Sequence, residues 1–359
     1  MKKTLFYISL AAVMLMTACG KDNDSEKATT NGDQQAKVYL LNEGKQGDNN
    51  ASLSLVNIEE KTITNNYFQT VNGRPLGDVA QDIIQHGSKI YISVSESGTI
   101  EVIEAKSGKA IKQIDMGSRY PRYIAANGSK IYVSCYYPHS VVSIDTTTLE
   151  ISAVCTLSGL RPEGLCVADD KLYVCNSYDA DESNNYSYDS TLSVIDLATF
   201  TESKRINIAY NPQQIIALAD GRLAINFFGD YGLNPSGVAI YNIAEDKATL
   251  ILGIPVAGMT ANDNTIYTYG SDYDENWNAV PALNKIDLTT MLATPFVPEM
   301  IGDIKAPYGM AINPTNGEIY LTDAQNYTSN GDLYCITSEG TLRWKAETSL
   351  LPKKLCFVK

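Results

Sequence analysis

Histidine is nearly missing from this chain: among 359 residues only His86 and His139 occur. A multi-histidine metal or redox centre is therefore excluded, and since His86 falls in a minimal turn, any Ser-His-Asp relay would have to run through His139. Basic charge is scarce as well. Lys and Arg number 28 against 41 Asp and Glu, a formal net charge of -13, and no basic stripe is present to neutralise phosphates. Nucleic acid and anionic membrane surfaces are thus poor partners. Cys-x-x-Cys spacing, phosphate-binding loops and nucleophile elbows are absent too. The apolar run Leu5 to Met16 is too short to cross a bilayer as a helix.

What the sequence does have is apolar mass and turns. Hydrophobic residues make up 44% and charged residues 19%, with 23 Tyr and 25 Gly, which predicts a globular protein rich in strands and turns. The N-terminus reads as an export segment: Lys2 and Lys3, the apolar run, then Thr17-Ala18-Cys19-Gly20. Small residues directly before a cysteine resemble the bacterial lipobox. That implies cleavage after residue 18 and lipidation of Cys19, the alternative being an ordinary signal with an incidental cysteine. Removal of Lys2 and Lys3 would take the net charge from -13 to -15. Residues 19–35 lack apolar periodicity and read as a flexible tether, leaving 36–359 as the folded domain. The acidic residues Asp22 and Asp24 resemble a surface-export signal of Bacteroidetes lipoproteins, although a solvated tail has the same composition.

Six further cysteines, at 135, 155, 166, 175, 335 and 356, fall mostly in strand-like apolar runs and read as buried thiols. A Cys135–Cys175 or Cys166–Cys356 disulfide is the alternative in an oxidising compartment.

One element recurs. A polar tight turn precedes an Ile/Leu-Tyr-Ile/Val alternation in "GSKIYISV", "GSKIYVSC", "DDKLYVCN", "DNTIYTYG" and "NGEIYLTD", with variants "AKVYLLN" and "DGRLAINF". The anchors Val38, Ile90, Ile131, Leu172, Leu223, Ile266 and Ile319 are spaced by 41 to 53 residues, the period of a four-stranded propeller blade. Seven such units predict an all-β, seven-bladed β-propeller of antiparallel blades with no helix of useful length. The last segment, "PKKLCFVK", is an innermost strand lacking a partner, and Val38 to Leu41 is the partner that would close the ring. Two sandwiches are the alternative arrangement, against which the uniform repeat argues.

The connections between second and third strands, among them "CYYPHS", "NSYDADESNNYSYDST", "FFGDYGLNPS" and "GSDYDENWNAVP", are long and rich in aromatic, Asn and Asp residues. The turns that would lie on the opposite face are minimal. Long loops on a rigid scaffold concentrate binding function, and flat aromatics with polar handles supply rigid contact area. Candidate ligand-binding residues are Tyr136, Tyr137, His139, Asn176, Tyr178, Tyr186, Phe227, Phe228, Tyr231, Tyr273, Trp277 and Tyr327 from these loops. The joins between blades add Gln81, Arg122, Glu163, Gln213 and Tyr308 around the mouth of the central channel, where they would either meet a polar ligand or hydrogen-bond one another and channel water. No catalytic residue and no metal ligand is assigned. His139 is retained as an alternative base or ligand, and the acidic sets Asp179/Asp181/Glu182 and Asp272/Asp274/Glu275 as alternative calcium sites. A pair of carboxylates could also serve glycoside hydrolysis. Arg122, Tyr136 and Trp277 are expected to tolerate Ala with little loss of stability, as exposed loop tips do.

Through "GSKIYVSCYYPHSVVSIDTTTLE" and "PEGLCVADDKLYVCNSY" with "LSVIDLATF", the chain resembles the YncE-like propellers. With "NEGKQGDNNASLSLVN", "PLGDVAQD" and "PRYI" added, residues 37–359 resemble the BtuG-like surface lipoproteins of gut Bacteroidetes that capture vitamin B12. The resemblance implies a non-enzymatic, lipid-anchored protein on the outer-membrane surface, binding cobalamin or a related corrinoid and passing it to a TonB-dependent transporter. It transfers no individual contact. A glycan-binding or protein-interaction propeller is the alternative, with no cofactor implied in either case.

Overall fold

Alternation of apolar residues along short strands, punctuated by Gly, Asn and Asp turns, has one stable outcome here. The computed structural model describes residues 37–180 and 185–359, and among these the strands assemble into seven four-stranded antiparallel sheets and one two-stranded sheet. The expected export segment, Cys19 and the tether lie outside the described residues, as do Asp181 and Glu182. The seven sheets are the blades of a propeller, numbered here from the one containing Val38–Asn42.

The innermost strands are Pro352–Phe357, Ala80–His86, Pro121–Asn127, Pro162–Ala168, Pro212–Ala217, Gly258–Ala261 and Pro307–Ile312. Each packs on the next, and Pro352–Phe357 packs on Ala80–His86 to complete the circle. The expected closure is present: Pro352–Phe357 pairs antiparallel with Val38–Asn42, Leu355 opposite Leu40 and Phe357 opposite Val38. Blade 1 is thereby made from both ends of the folded chain, and its open edge is removed.

The repeated second strands sit in the middle of the sandwich between blades. Ile90–Val94, Ile131–Cys135 and Leu172–Asn176 are buried at every position, because neighbouring blades cover both faces. The repeated tyrosines Tyr39, Tyr91, Tyr173 and Tyr320 lie in these interfaces, and burial pushes the Tyr91 hydroxyl up to about 12. Innermost strands approach closely enough to require glycine. A Cβ on Gly309 would stand 1.9 Å from the Lys353 carbonyl oxygen, and one on Gly164 2.6 Å from that of Gln213.

Three features differ from expectation. A short helix, Tyr67–Asn72, follows the outer strand of blade 1 and buries Phe68. The connection in blade 6 is largely strand: Thr265–Tyr273 and Ala279–Asp287 pair along nine residues and project as a hairpin. The stretch after Asn176 forms a second hairpin, Tyr178–Ala180 paired with Tyr186–Tyr188. The six described cysteines outside the N-terminal segment are all free thiols.

Candidate functional site

Antiparallel order fixes which loops share a face. Connections between second and third strands, and joins between blades, emerge at one end of every blade, so Tyr136, Tyr186 and Trp277 lie on one rim. There a pocket of about 460 Å³ opens beside the channel mouth. Tyr136, Tyr178, Tyr186, Tyr188, Phe228 and Tyr231 form its walls. The half-buried Arg122 and the buried Glu163 form its base, with Asn211 and Gln213 at one side.

The base is one hydrogen-bonded unit. Arg122 Nε and Nη2 donate to the two Glu163 oxygens at 2.9 and 3.0 Å, and Nη1 donates to Gln81 Oε1 at 2.9 Å. Burial lowers the Arg122 pKa, but the Glu163 charge and hydrogen bonds outweigh it, so the guanidinium is held more firmly protonated than usual. Across the mouth Lys353 Nζ lies 2.9 Å from Glu43 Oε2, which also accepts from the Tyr308 hydroxyl. Burial opposes ionisation of Glu43, yet Lys353 and these hydrogen bonds hold its carboxyl below the usual range. Below the mouth the channel, about 360 Å³, is lined from all seven blades and contains the Asp82–Lys354 ion pair.

The aromatic wall is set by Arg161, in the join before blade 4. Its Nε lies 2.8 Å from Asp179 Oδ1, its Nη1 donates to the Tyr136 hydroxyl at 2.8 Å, and its guanidinium covers the rings of Tyr136 and Tyr178 at 4.6 and 5.2 Å. Tyr136 in turn donates to the Tyr178 hydroxyl at 3.1 Å. Tyr186 and Tyr188 stack with ring centres 6.1 Å apart and 14° between planes, and Tyr188 meets Tyr231 at 6.3 Å. The aromatic arc continues along the rim. Tyr273 packs on Trp277 at 6.3 Å and Tyr308 on Tyr327 at 6.0 Å. Three of these tips, Tyr231, Trp277 and Tyr327, have left-handed backbone, φ 57°, 62° and 62°, a conformation that bulky residues seldom adopt. The turns enforce it: Asp230 Oδ1 accepts from Gly232 and Asn234 amides, and Asp274 Oδ1 from those of Asn276 and Asn278.

The predicted residues thus divide. Arg122, Tyr136, Glu163, Tyr178, Tyr186, Gln213, Phe228 and Tyr231 meet in the pocket. Gln81 supports its base. Tyr273, Trp277, Tyr308 and Tyr327 lie further round the rim. Tyr137 is exposed outside the pocket, its ring edge-on to His139 at 5.9 Å. His139 Nε2 is 3.8 Å from Asp179 Oδ2, and burial pushes this imidazole down.

Two residues face inward instead. Phe227 is 1% exposed and belongs to the apolar core between blades 4 and 5. Asn176 is fully buried, its amide donating to Thr191 and Ser193 hydroxyls at 2.9 Å, and Asn42 makes the equivalent bracket to Ser54 in blade 1. The residues expected to be loop tips also divide, since Trp277 is 83% exposed while Arg122 and Tyr136 are bound into the network. Arg161, Tyr188 and Asn211 were not anticipated. Arg161 directly precedes the Pro162-Glu163 pair that did supply a candidate. Among the described residues no three His, Cys, Asp or Glu converge to hold a metal, and Asp274 is engaged by its own turn.

Comparison with known proteins adds fold and family. No curated protein matches the chain. A quinonprotein alcohol dehydrogenase-like protein of Bacteroides thetaiotaomicron VPI-5482 superposes with TM-score 0.66 at 16% identity, covering 91% of this chain and 79% of that one. Kuenenia stuttgartiensis hydrazine synthase gives 0.63 at 16%, covering 76% and 88%. A candidate 6-phosphogluconolactonase of Bacteroides uniformis ATCC 8492 gives 0.65 at 11%, covering 90% and 100%. At such identities the likeness is one of fold. The model of DUF5074, a domain of unknown function, matches residues 37–343, and the chain belongs to that family.

Proposed function

We propose that this protein is a non-enzymatic capture protein whose decorated face binds a broad, uncharged, partly apolar ligand, cobalamin or a related corrinoid, and passes it to a TonB-dependent outer-membrane transporter. The observation that carries the reading is the pocket itself, walled by five tyrosines and a phenylalanine from blades 3, 4 and 5. A corrinoid is broad and fringed with amides. Flat rings with hydroxyl, Asn and Gln partners at the edge suit such a surface, and the rim tyrosines would extend contact beyond the pocket. The one carboxylate of the lining, Glu163, has both oxygens committed to Arg122, which favours capture over turnover. Anchoring through Cys19 would hold the propeller at the cell surface. Among the described residues no helix is long and apolar enough to cross a membrane.

Isothermal titration with cyanocobalamin and dicyanocobinamide tests the reading. Saturable heat and a shift of the corrin absorption bands are expected, and their absence at micromolar protein overturns the corrinoid assignment. A second reading is favoured by the flat Tyr186–Tyr188 stack and the exposed Trp277: aromatic faces of this kind also stack on sugar rings. A glycan array binding curve without corrinoid binding would select it.

A further inference from the structure

The chain is strongly acidic, with formal net charge -13, yet the pocket is not. Of the residues lining it, only Arg122 and Glu163 carry a formal charge, and they are joined by two hydrogen bonds of 2.9 and 3.0 Å. The next charges outward are compensated as well. Arg161 is 2.8 Å from Asp179, and Arg205 is 2.6 Å from Asp189. The exception is Asp230, whose carboxylate accepts hydrogen bonds only from the uncharged Asn234 and Gly232, so it keeps its negative charge and adds to the repulsion of an anion. Across the mouth, Lys353 is closed on Glu43 at 2.9 Å.

We propose that the Arg122–Glu163 pair makes this pocket reject anions in favour of uncharged ligands, with Glu163 the specificity-determining residue that cancels the Arg122 guanidinium. An anion entering the pocket gives up hydration, and attraction to Arg122 is offset by repulsion from a carboxylate about 3 Å from it. A neutral aromatic or amide-rich ligand meets no such cost. Glu163 is 3% exposed and Arg122 half-buried, so bulk water screens the carboxylate little, and removing one member exposes the other's charge to the ligand. The inference rests on reading the pocket as the ligand site, but it holds for any ligand class that enters there.

Two fluorescent probes with one aromatic skeleton separate charge from shape: neutral N-phenyl-1-naphthylamine and its sulfonated relative 8-anilinonaphthalene-1-sulfonate. On the full chain, the wild type is expected to bind the neutral probe at least about tenfold more tightly than the sulfonate. Glu163→Gln keeps an acceptor for Arg122 while removing the charge, and should shift the affinity ratio by roughly tenfold or more toward the sulfonate. Arg122→Gln should move it the opposite way, which keeps the test decisive if one single variant fails to fold. The double variant Arg122→Gln/Glu163→Gln should restore the preference for the neutral probe. Equal affinity of the wild type for both probes, no binding of either, or an unchanged ratio in the folded single variants overturns the inference. Cyanocobalamin added as competitor separates the two levels of the reading. If it fails to displace the neutral probe while the ratios shift as stated, the corrinoid assignment falls and the charge selection stands.

Discussion

Arg161 Nε and Asp179 Oδ1 lie 2.8 Å apart and fasten the Tyr178–Ala180 strand of the blade 4 hairpin to the join that precedes the blade. The same guanidinium donates to Tyr136 from blade 3. One cation therefore sets the spacing between two walls of the pocket. Arg161→Ala should remove the ion pair to Asp179, the charge-assisted hydrogen bond to Tyr136 and two cation–π contacts, together about 2 kcal/mol or more of wall ordering. A roughly tenfold or greater weakening of ligand binding is expected, with reduced near-ultraviolet circular dichroism from the tyrosine cluster. Arg161→Lys should recover little, since a point charge cannot engage Asp179 and Tyr136 in one planar fork. Titration calorimetry and dichroism of the two variants provide the check.

Trp277 and Arg122 should behave oppositely on truncation. Trp277 is 83% exposed, so Trp277→Ala should leave the melting temperature within about a degree or two. Any loss of ligand affinity then reports contact at the rim. Arg122→Ala leaves Glu163, 3% exposed, without its bidentate partner. Breaking a buried pair in this way costs about 3–5 kcal/mol, a clear fall in thermal midpoint by calorimetry. A melting temperature unchanged by Arg122→Ala would mean that the base of the pocket hydrates freely.

The ring was legible in the sequence because one motif repeats at a constant position in each blade, and because the orphan strand after Pro352 has a natural partner in Val38–Asn42. The inside of the rim was less legible. In a propeller both faces of a blade are covered, so alternation along Arg222–Phe227 does not say which face meets solvent, and Phe227 turned into the core. Asn176 has the composition of a loop residue but works as a bracket between strands. Arg161 depends on left-handed backbone, φ 35°, just before Pro162, a geometry that no local propensity announces. The hairpin of blade 6 was read as a loop because Asp, Asn and Trp at its tip outweighed the pairing of Ser271 with Pro281 and Asp272 with Val280.

His139 gives a pH dependence with a definite sign. Burial lowers its pKa below the ordinary 6.5, with Asp179 opposing and Arg161 adding to the fall. The unfolded chain therefore binds this proton at higher pH than the folded one. Stability from this group is complete above pH about 6.5 and is lost as pH falls through the lowered folded value. Thermal midpoints between pH 7.5 and 5 should fall for the wild type. His139→Gln removes the titrating group, so its midpoint should fall less over the same window. Parallel slopes for the two proteins would show that the imidazole titrates alike in both states.

Gly309 tests the closure of the ring at its tightest point. It lies on the innermost strand of blade 7, where the next strand inward round the ring is Pro352–Phe357 of blade 1. A Cβ at this position would come within 1.9 Å of the Lys353 carbonyl oxygen and 2.9 Å of Thr322 Oγ1. Backbone cannot yield there without pulling the blade 7 strand from the one that seals the circle. Gly309→Ala should therefore cost about 3 kcal/mol or more, as overpacking against main chain does. Gly302, in the short 3-10 turn Ile301–Asp303, has open space around the same atom, so Gly302→Ala should change stability by less than about 0.5 kcal/mol. Urea unfolding of both variants measures the contrast, and equal midpoints would mean that the two innermost strands separate readily and that the seal between chain ends contributes little to the fold.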